Sequence, residues 1–186
     1  MRIKLVVAHP RKNSLTFAVM NRFIDGLKEN GHQIDVLDLY NDGFDALYSA
    51  EDEYEWKNPE KVFAPLVQKE MDRVIAADAF VFVFPIWWYN MPSIMKTYLD
   101  RVWNIGVFDT LAGKKVFWLA LAGGTEAVFH KYDYTNMISH YLNNSIGKYA
   151  RMEESKVEFL YDTLNESQEH INSLLEQAYL AGKAYA

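Results

Sequence analysis

Cysteine is absent from the 186-residue sequence. Its absence excludes disulfide bonds, a cysteine nucleophile, iron–sulfur clusters and zinc sites built on thiolates. We therefore expect no metal centre of these kinds, and we predict no other metal site. A chain without cysteine also fits a reducing compartment.

The sequence has fewer basic than acidic residues: 19 lysines and arginines compared with 25 aspartates and glutamates, which gives a net charge of -6. Phosphate groups would be repelled, which disfavours nonspecific binding to nucleic acid or to an anionic membrane. No apolar run reaches the roughly 20 residues of a membrane-spanning helix. The first ten residues have too short an apolar core for a secretory signal. We expect a cytoplasmic protein without nucleic-acid partners or membrane insertion.

What the chain does contain is apolar residues in strand-like and helix-like patterns. Half of its residues are hydrophobic, which is enough for a substantial core. No linker, repeat or low-complexity segment interrupts the chain, so we expect one domain over residues 1–186. Strands are predicted at 3–8, 33–39, 79–84, 114–122 and 156–161, and helices at 15–30, 60–77, 92–104, 134–147 and 166–184.

The alternation of these elements predicts an α/β fold with a parallel sheet and helices on both faces. Five strands favour the flavodoxin-like, doubly wound order 2-1-3-4-5 over the six-stranded dinucleotide-binding order. The strand at 33–39 alternates like a half-buried strand. The acidic stretch 41–58 indicates a long surface loop that can include a short helix.

Ligands of such sheets bind beyond the carboxyl ends of the strands. This rule selects three loops: residues 9–15, 85–91 and 122–133. They carry the most unusual residues of the chain.

The first loop continues into a helix with the sequence HPRKNSLTF, residues 9–17. A helix start offers unpaired N–H groups and a positive dipole end, which together make an anion site. The side chains that add donors are His9, Arg11, Lys12, Asn13, Ser14 and Thr16. Neither a Gly-rich dinucleotide fingerprint nor a GxxxxGK[ST] loop is present. The alternative is that Ser14 only caps the helix while Arg11 and Lys12 are solvated.

The second loop contains three consecutive aromatic residues, Trp87, Trp88 and Tyr89. Successive side chains cannot all face one core in a strand or a helix. Their flat apolar surface suits a planar heteroaromatic cofactor with a phosphate tail, a description that isoalloxazine meets. The alternative is an aromatic cluster that covers the end of the sheet or contacts another subunit.

The third loop begins with Gly123 and Gly124, which allow the backbone to approach a flat ligand closely. Beyond them, His130, Tyr132 and Tyr134 are candidate donors to an oxygen that becomes negative during reduction. The alternatives are an ordinary strand-to-helix turn for the glycines and surface packing for the three donors.

Three segments together resemble the flavodoxin-like NAD(P)H:quinone oxidoreductases. They are VAHP…NSLTFA near the start, VFPIWWYNMPSIMKTYLDRVW in the middle and LALAGGTEAVF later, so the resemblance covers residues 3–130. The family includes DT-diaphorase, the bacterial modulator-of-drug-activity quinone reductases and ancillary subunits of potassium efflux systems. The middle segment is its most specific part.

The resemblance implies a role for each matched position. It places His9, Ser14, Leu15 and Thr16 at the phosphate and adenine side, Pro85, Ile86, Trp87, Trp88 and Tyr89 on the flavin-ring loop, and Ala122, Gly123 and Gly124 on a second flavin loop. It implies hydride transfer from NAD(P)H through flavin to a quinone by a ping-pong cycle, in a homodimer. DT-diaphorase has a tyrosine where this chain has Phe129, and its later histidine has no clear counterpart here. His130 and Tyr132 are the candidate catalytic residues, with Tyr134 nearby.

The choice of flavin rests on the first loop. We expect FAD, with FMN as the alternative, because Arg11 and Lys12 can neutralise a second phosphate and His9 can donate to it. Leu15 and Phe17 offer apolar surface for an adenine. Three other functions stay open at this point: a one-electron carrier like flavodoxin, a regulatory subunit of a membrane transporter, and an azo or nitro reductase.

Overall fold

The computed structural model describes residues 1–53, 55, 57–58 and 60–185. Residues 54 and 56 of the predicted acidic loop therefore lie outside the described residues. Among the helices that the structure describes, none combines the length and the apolar character needed to cross a membrane.

Five parallel strands form one sheet: β1 (Arg2–Val7), β2 (Gln33–Asp38), β3 (Ala79–Pro85), β4 (Lys115–Leu121) and β5 (Glu154–Leu160). Their order in space is β2-β1-β3-β4-β5, which confirms the predicted order. Adjacent strands run in parallel register, with Val7 beside Val83 and Pro85 beside Leu121. The carboxyl ends of the three central strands therefore meet at one edge, called here the carboxyl edge.

Helices cover both faces of the sheet. They are α1 (Leu15–Glu29), α2 (Pro65–Ile75), α3 (Ser93–Val102), α4 (Glu126–Lys131), α5 (Tyr134–Ser139) and α6 (Gln168–Ala184), together with a π-helical segment at His140–Lys148 and 3₁₀ helices at Ala50–Asp52 and Phe108–Leu111. One face packs α1 and α6 against β1, β3 and β4. The other face packs α2, α3 and the segments after β4.

The central strands are buried on both faces, as their apolar runs predict. The edge strand β2 does not alternate between buried and exposed residues, so that prediction is wrong. Asp35 is partly covered because Arg73 of α2 donates two hydrogen bonds to its carboxylate, at 2.8 and 2.6 Å. An ion pair, rather than an apolar side chain, shields this position.

Two helices differ from their predictions, one in where it starts and the other in how it continues. The helix predicted at 60–77 starts at Pro65, because proline cannot accept the backbone geometry of a helix interior and keeps Ala64 extended. The helix predicted at 134–147 starts at Tyr134 as expected, but widens into a π-helix from His140. Gly147 lies so close to Ser155 that an added Cβ would be 2.3 Å from the Ser155 Cβ. Pro92 is the N-cap of α3, one position before its first turn.

The acidic segment is a surface loop with a short helix, as predicted, and most of its described residues are exposed, but one buried contact fixes it to the rest of the fold. Asp52 is buried and its carboxylate lies 3.1 Å from Nε of Arg101 on α3. Asn104 donates to the Asp52 carbonyl at 2.8 Å. This buried pair fixes the segment onto α3, and no periodicity in the sequence indicates it.

A second buried charge cluster lies under α2. Nζ of Lys4 is 2.9 Å from the carboxylate of Glu70, and both side chains are almost fully buried. Arg73 pairs with Glu70 and with Asp35, which links α2 to β1 and β2. Burial lowers the pKa of Lys4, because removing the ammonium from water disfavours its charged form.

Candidate functional site

Four loops meet at the carboxyl edge. Ala8 and Ile86 donate backbone hydrogen bonds to Val83 and Leu121, at 3.1 and 2.8 Å, and so tie together the ends of β1, β3 and β4. A fourth loop, residues 161–167 after β5, was not predicted as part of the site. Its Asp162 and Thr163 donate to carbonyls of the Gly-Gly segment at 2.9 and 3.0 Å.

The first loop is a compact turn that leads into α1. Arg11 donates its N–H to Nδ1 of His9 at 3.0 Å, and Ser14 donates its N–H to the Arg11 carbonyl at 3.2 Å. Ser14 is the N-cap of α1 and its Oγ accepts from Phe17 at 3.5 Å. The alternative that Ser14 caps the helix is therefore confirmed.

In the described part of the chain, some charged side chains and backbone N–H donors of the same loop have no partner. Arg11 and Lys12 are exposed, and within the described part of the chain neither pairs with a carboxylate. Leu15 and Thr16 open α1, where the first N–H groups have no acceptor inside the helix. Capping by Ser14 thus does not prevent anion binding by these neighbours.

The second loop is a two-residue turn in a strained conformation. Trp87 and Asn90 exchange backbone hydrogen bonds of 2.9 and 3.1 Å, and the two residues between them have positive φ angles, 49° for Trp88 and 60° for Tyr89. Such a turn favours Asn and Gly, since other residues carry a steric penalty of roughly 1–2 kcal/mol each. Strain of this kind concentrates at functional sites.

The aromatic residues of this turn do not form a closed cluster. The Trp88 side chain is 96% exposed, whereas Trp87 and Tyr89 are about half as accessible. Trp87 approaches the His9 ring, with centroids 6.2 Å apart, so the first and second loops contact each other. Pro85 ends β3 and Ile86 packs against the core, which anchors the turn to the sheet.

The Gly-Gly segment of the third loop packs against its own chain. A Cβ on Gly123 would lie 3.2 Å from Leu164, and one on Gly124 would lie 3.2 Å from the ring of Phe129. Neither glycine has a positive φ angle. Ala122, which precedes them, is fully buried. The glycines are therefore explained by close packing against the fourth loop and α4.

Residues 122–133 are not a simple loop, because they contain α4. Thr125 caps this helix and its Oγ1 accepts from Val128 at 3.3 Å. Asp133 then takes a left-handed conformation, with φ 61°, and separates α4 from α5. This reversal brings Tyr134 back over the second loop.

An aromatic wall results along one side of the site. The Tyr134 ring is 3.9 Å from the Tyr89 ring, and Phe129 meets Tyr134 edge-on at 5.8 Å. Tyr132 stacks on Tyr134 at 5.7 Å, and Tyr161 of the fourth loop meets Phe129 at 5.5 Å. The predicted strand order places β5 beside β4 and could have included the fourth loop in the site. The contact between Tyr161 and Phe129 has no signal in the sequence.

The family model described as a flavodoxin-like fold matches residues 1–181. The chain belongs to this flavodoxin-like family. The sequence is 36% identical over 184 residues to a protein of Escherichia coli (strain K12) described as an uncharacterized NAD(P)H oxidoreductase, YcaK, covering 97% of this chain and 93% of the other. It is 29% identical over 139 residues to the FMN-dependent NADH:quinone oxidoreductase of Clostridium beijerinckii, covering 64% and 67%.

Among solved structures, the NAD(P)H:quinone oxidoreductase from Methanothermobacter marburgensis matches with a TM-score of 0.87 at 26% identity, covering 98% of this chain and 96% of the other. The resemblance to NAD(P)H:quinone oxidoreductases predicted from the sequence is confirmed. The matches extend beyond residue 130, where the sequence motifs end.

The two predicted catalytic candidates of this flavodoxin-like protein lie in different settings. His130 is exposed on α4, and its Nε2 is 3.4 Å from the Glu126 carboxylate one turn earlier. In the described chain it makes no ring contact with the aromatic wall. Tyr132 does belong to that wall, through Tyr134. The structure therefore brings Tyr132 towards the second loop and does not bring His130 there.

The site of this flavodoxin-like protein fits a flavin on one structural test. Across the described residues, the N–H groups of Trp88, Tyr89, Gly123 and Gly124 have no hydrogen-bond acceptor. A flavin ring has a polar edge that accepts such bonds and a flat apolar part that suits the exposed aromatic side chains. Partial burial lowers the pKa of His9, which favours the neutral ring beside Arg11.

Two substitutions at Trp88 distinguish the contribution of its ring to flavin binding from the effect of its strained backbone on stability. Both Trp88→Ala and Trp88→Gly remove the same exposed ring, so both should weaken flavin binding by about 1–3 kcal/mol. Only glycine relieves the positive φ angle of 49°. Trp88→Gly should therefore be more stable than Trp88→Ala, by about 1–2 kcal/mol. Urea unfolding of the two apoproteins measures this difference, and a more stable alanine variant would contradict the strain.

Proposed function

We propose that the protein is a flavin-dependent NAD(P)H oxidoreductase that passes a hydride to quinones or similar acceptors by a ping-pong mechanism, in a single domain over residues 1–186. The observation that carries the proposal is the meeting of exposed Trp87 and Trp88 with unpaired N–H groups of two loops at the carboxyl edge. The names of the relatives described above support the same activity. A cytoplasmic location fits the lack of cysteine.

A bound flavin would accept the hydride from NAD(P)H and release it to the acceptor. The residues of this chain would supply binding, orientation and donors. We assign the phosphate side to the first loop and the ring to the second and third loops. The residues proposed to hold the cofactor are His9, Arg11, Ser14, Leu15, Thr16, Pro85, Ile86, Trp87, Trp88, Tyr89, Ala122, Gly123 and Gly124.

We favour FAD over FMN because the first loop holds more positive charge than one phosphate needs. Arg11 and Lys12 are exposed, and in the described chain they form no ion pair. Leu15 and Phe17 at the start of α1 are only half-buried, which leaves apolar surface for an adenine. The alternative, FMN, is supported by the FMN-dependent relative.

Flavin titration of the apoprotein tests both statements. We expect binding at micromolar concentration or better, with FAD displacing an excess of FMN. Replacing Arg11 and Lys12 together by alanine should weaken FAD more than FMN, because only FAD carries a second phosphate for them to neutralise. Replacing the exposed Lys28 and Lys57, which lie outside the first loop, by alanine gives a control of equal charge change.

The titration distinguishes the proposed function from the choice of FAD. Absence of binding by either flavin would refute the proposed function. Tighter binding of FMN, or an equal loss for both flavins in the double variant, would refute only the choice of FAD. With flavin bound, addition of NADH or NADPH should bleach the flavin absorbance, and a quinone should restore it.

We further propose a homodimer, supported by an aromatic groove away from the carboxyl edge. A cavity of about 760 Å³ lies between α3 and the π-helical segment, lined by Trp103, Phe108, Tyr141 and Tyr149 among others. Tyr149 is 72% exposed there, and the Trp103 Nε1 is buried without an acceptor in the described chain. A second copy would cover this surface, and sedimentation equilibrium should then show two chains per particle.

A further inference from the structure

Leu164 of the fourth loop is an exposed apolar residue that lies against the Gly-Gly segment. Its side chain is 79% exposed. A Cβ added to Gly123 would lie 3.2 Å from Cδ1 of Leu164 and 3.3 Å from its Cγ. The leucine side chain therefore fills the space that a side chain at position 123 would take, and it stays open to solvent on its other sides.

The fourth loop holds Leu164 in place through hydrogen bonds on both sides of it. The two residues before it donate backbone hydrogen bonds to the carbonyls of Gly124 and Ala122, at 2.9 and 3.0 Å. The residue after it, Asn165, donates its backbone N–H and its side-chain amide to the carbonyl and the carboxylate of Asp162, both at 3.0 Å. Because this backbone is already fixed, a ligand that packs on Leu164 has little loop ordering to offset.

The alternation of residues after β4 shows on which face of the sheet Leu164 lies. Successive side chains of an extended segment point to opposite faces. Ala122 packs in the core cluster of the face that carries α2 and α3, and a Cβ on Gly124 would meet Phe129 of the same cluster. Gly123 lies between them and faces the other side, which carries α1 and α6. Leu164 is therefore on the face of α1, the helix that follows the first loop.

The backbone N–H of Gly123 points away from the fourth loop. Ala122 directs both of its polar groups towards β5 and the fourth loop, because its N–H donates to Leu160 at 2.8 Å and its carbonyl accepts from Thr163. In extended backbone the polar groups of the next residue point to the opposite side. The Gly123 N–H, which has no acceptor in the described chain, thus faces the second loop, while Leu164 covers one face of the same residue.

We propose that Leu164 is a further cofactor-binding residue, whose side chain packs against the bound flavin nucleotide beside Gly123. The inference rests on the proposed function, in which the first loop holds the phosphate side and the second and third loops hold the ring. A cofactor that reaches from the start of α1 to the N–H of Gly123 passes along the face on which Leu164 lies. It would remove an exposed apolar side chain from water, which favours binding.

Titration of the apoprotein with flavin tests this contact, using whichever of FAD and FMN the wild type binds more tightly. Leu164→Ala should weaken binding about 10-fold, because the contact of roughly two methyl groups is lost. Leu47→Ala is the matched control, since Leu47 is 73% exposed on the acidic segment. The control should bind flavin within about twofold of the wild type. A similarly small change in Leu164→Ala would overturn the proposal.

A double-mutant cycle with Gly123→Ala tests whether Leu164 acts from this place. The added methyl group would displace the leucine side chain, because it would lie 3.2 Å from Cδ1. Gly123→Ala should therefore weaken flavin binding in the wild type and have a smaller effect in Leu164→Ala, which lacks the displaced atoms. Losses that simply add would contradict the position of Leu164 and overturn its assignment to the cofactor site.

Methyl NMR gives a readout that a purely structural role would not change. In protein labelled at its leucine methyl groups, the signals missing from Leu164→Ala identify Leu164, and those missing from Leu47→Ala identify Leu47. An aromatic ring system shifts the signals of methyl groups that it contacts, so flavin should shift the Leu164 signals and leave those of Leu47 in place. Unshifted Leu164 signals with flavin bound would overturn the proposal. A wild type that binds neither flavin would instead refute the proposed function.

Discussion

Glu70→Ala is expected to destabilise the protein by about 3–5 kcal/mol, because it leaves the ammonium of Lys4 buried without its nearest counter-charge. Nζ of Lys4 is 2.9 Å from the Glu70 carboxylate, and Lys4 is fully buried in the central part of β1. A domain of ordinary stability has about 5–15 kcal/mol in total. Urea unfolding followed by circular dichroism should show a large loss.

A compensating variant distinguishes charge from packing. In Lys4→Met/Glu70→Leu both charges are replaced by apolar groups of similar size, and Arg73 keeps its two hydrogen bonds to Asp35. We expect stability near that of the wild type or higher, because a buried ion pair seldom contributes more to the free energy of unfolding than a well-packed apolar pair of similar size. Asp25→Ala, which breaks an exposed pair with Arg22, should cost less than about 1 kcal/mol. A double variant as unstable as Glu70→Ala would show that packing, and not charge, is responsible.

Gly182→Ala is expected to destabilise the protein by about 3 kcal/mol, although alanine favours helices over glycine by about 1 kcal/mol at exposed positions. Gly182 of α6 lies against α1, where an added Cβ would be 2.1 Å from the carbonyl oxygen of Phe23. Gly26 of α1 faces Tyr179 in the same way, at 2.2 Å. Backbone atoms cannot rotate aside, so the two helices would have to separate.

Thermal unfolding of Gly182→Ala measures the effect, with Ser173→Ala on the exposed side of α6 as the control. That control should stay within about 0.5 kcal/mol of the wild type. Because α1 presents the first loop, separation of the helices should also weaken flavin binding. A stability gain in Gly182→Ala would mean that α1 and α6 do not pack as closely as described.

The sheet follows from local patterns. The apolar runs of β1, β3 and β4 predict buried strands, and their alternation with helical patterns predicts the strand order that is observed. A strand buried on both faces carries its signal in consecutive residues, so a single sequence suffices to find it. The same holds for the loops at the carboxyl edge, because a parallel sheet brings the ends of its strands together.

Contacts between side chains that are far apart in the sequence could not be predicted from local patterns. Lys4 and Glu70, Asp52 and Arg101, and Tyr89 and Tyr134 are each separated by tens of residues, and the periodicity of one segment contains no information about its partner. The helix start at Pro65 could have been predicted from the proline itself, whereas the π-helix from His140 depends on local geometry that the apolar pattern does not report.

The sequence by itself determined the fold class, the strand order and three of the four loops that form the candidate site, because these depend on patterns within short segments. Only the tertiary structure decided that His130 lies apart from the aromatic wall, that Gly123 and Gly124 pack against Leu164 and Phe129, and that Trp88 and Tyr89 form a strained turn. The physical reason is that side-chain contacts depend on relative orientation, which is set when helices and strands pack against one another.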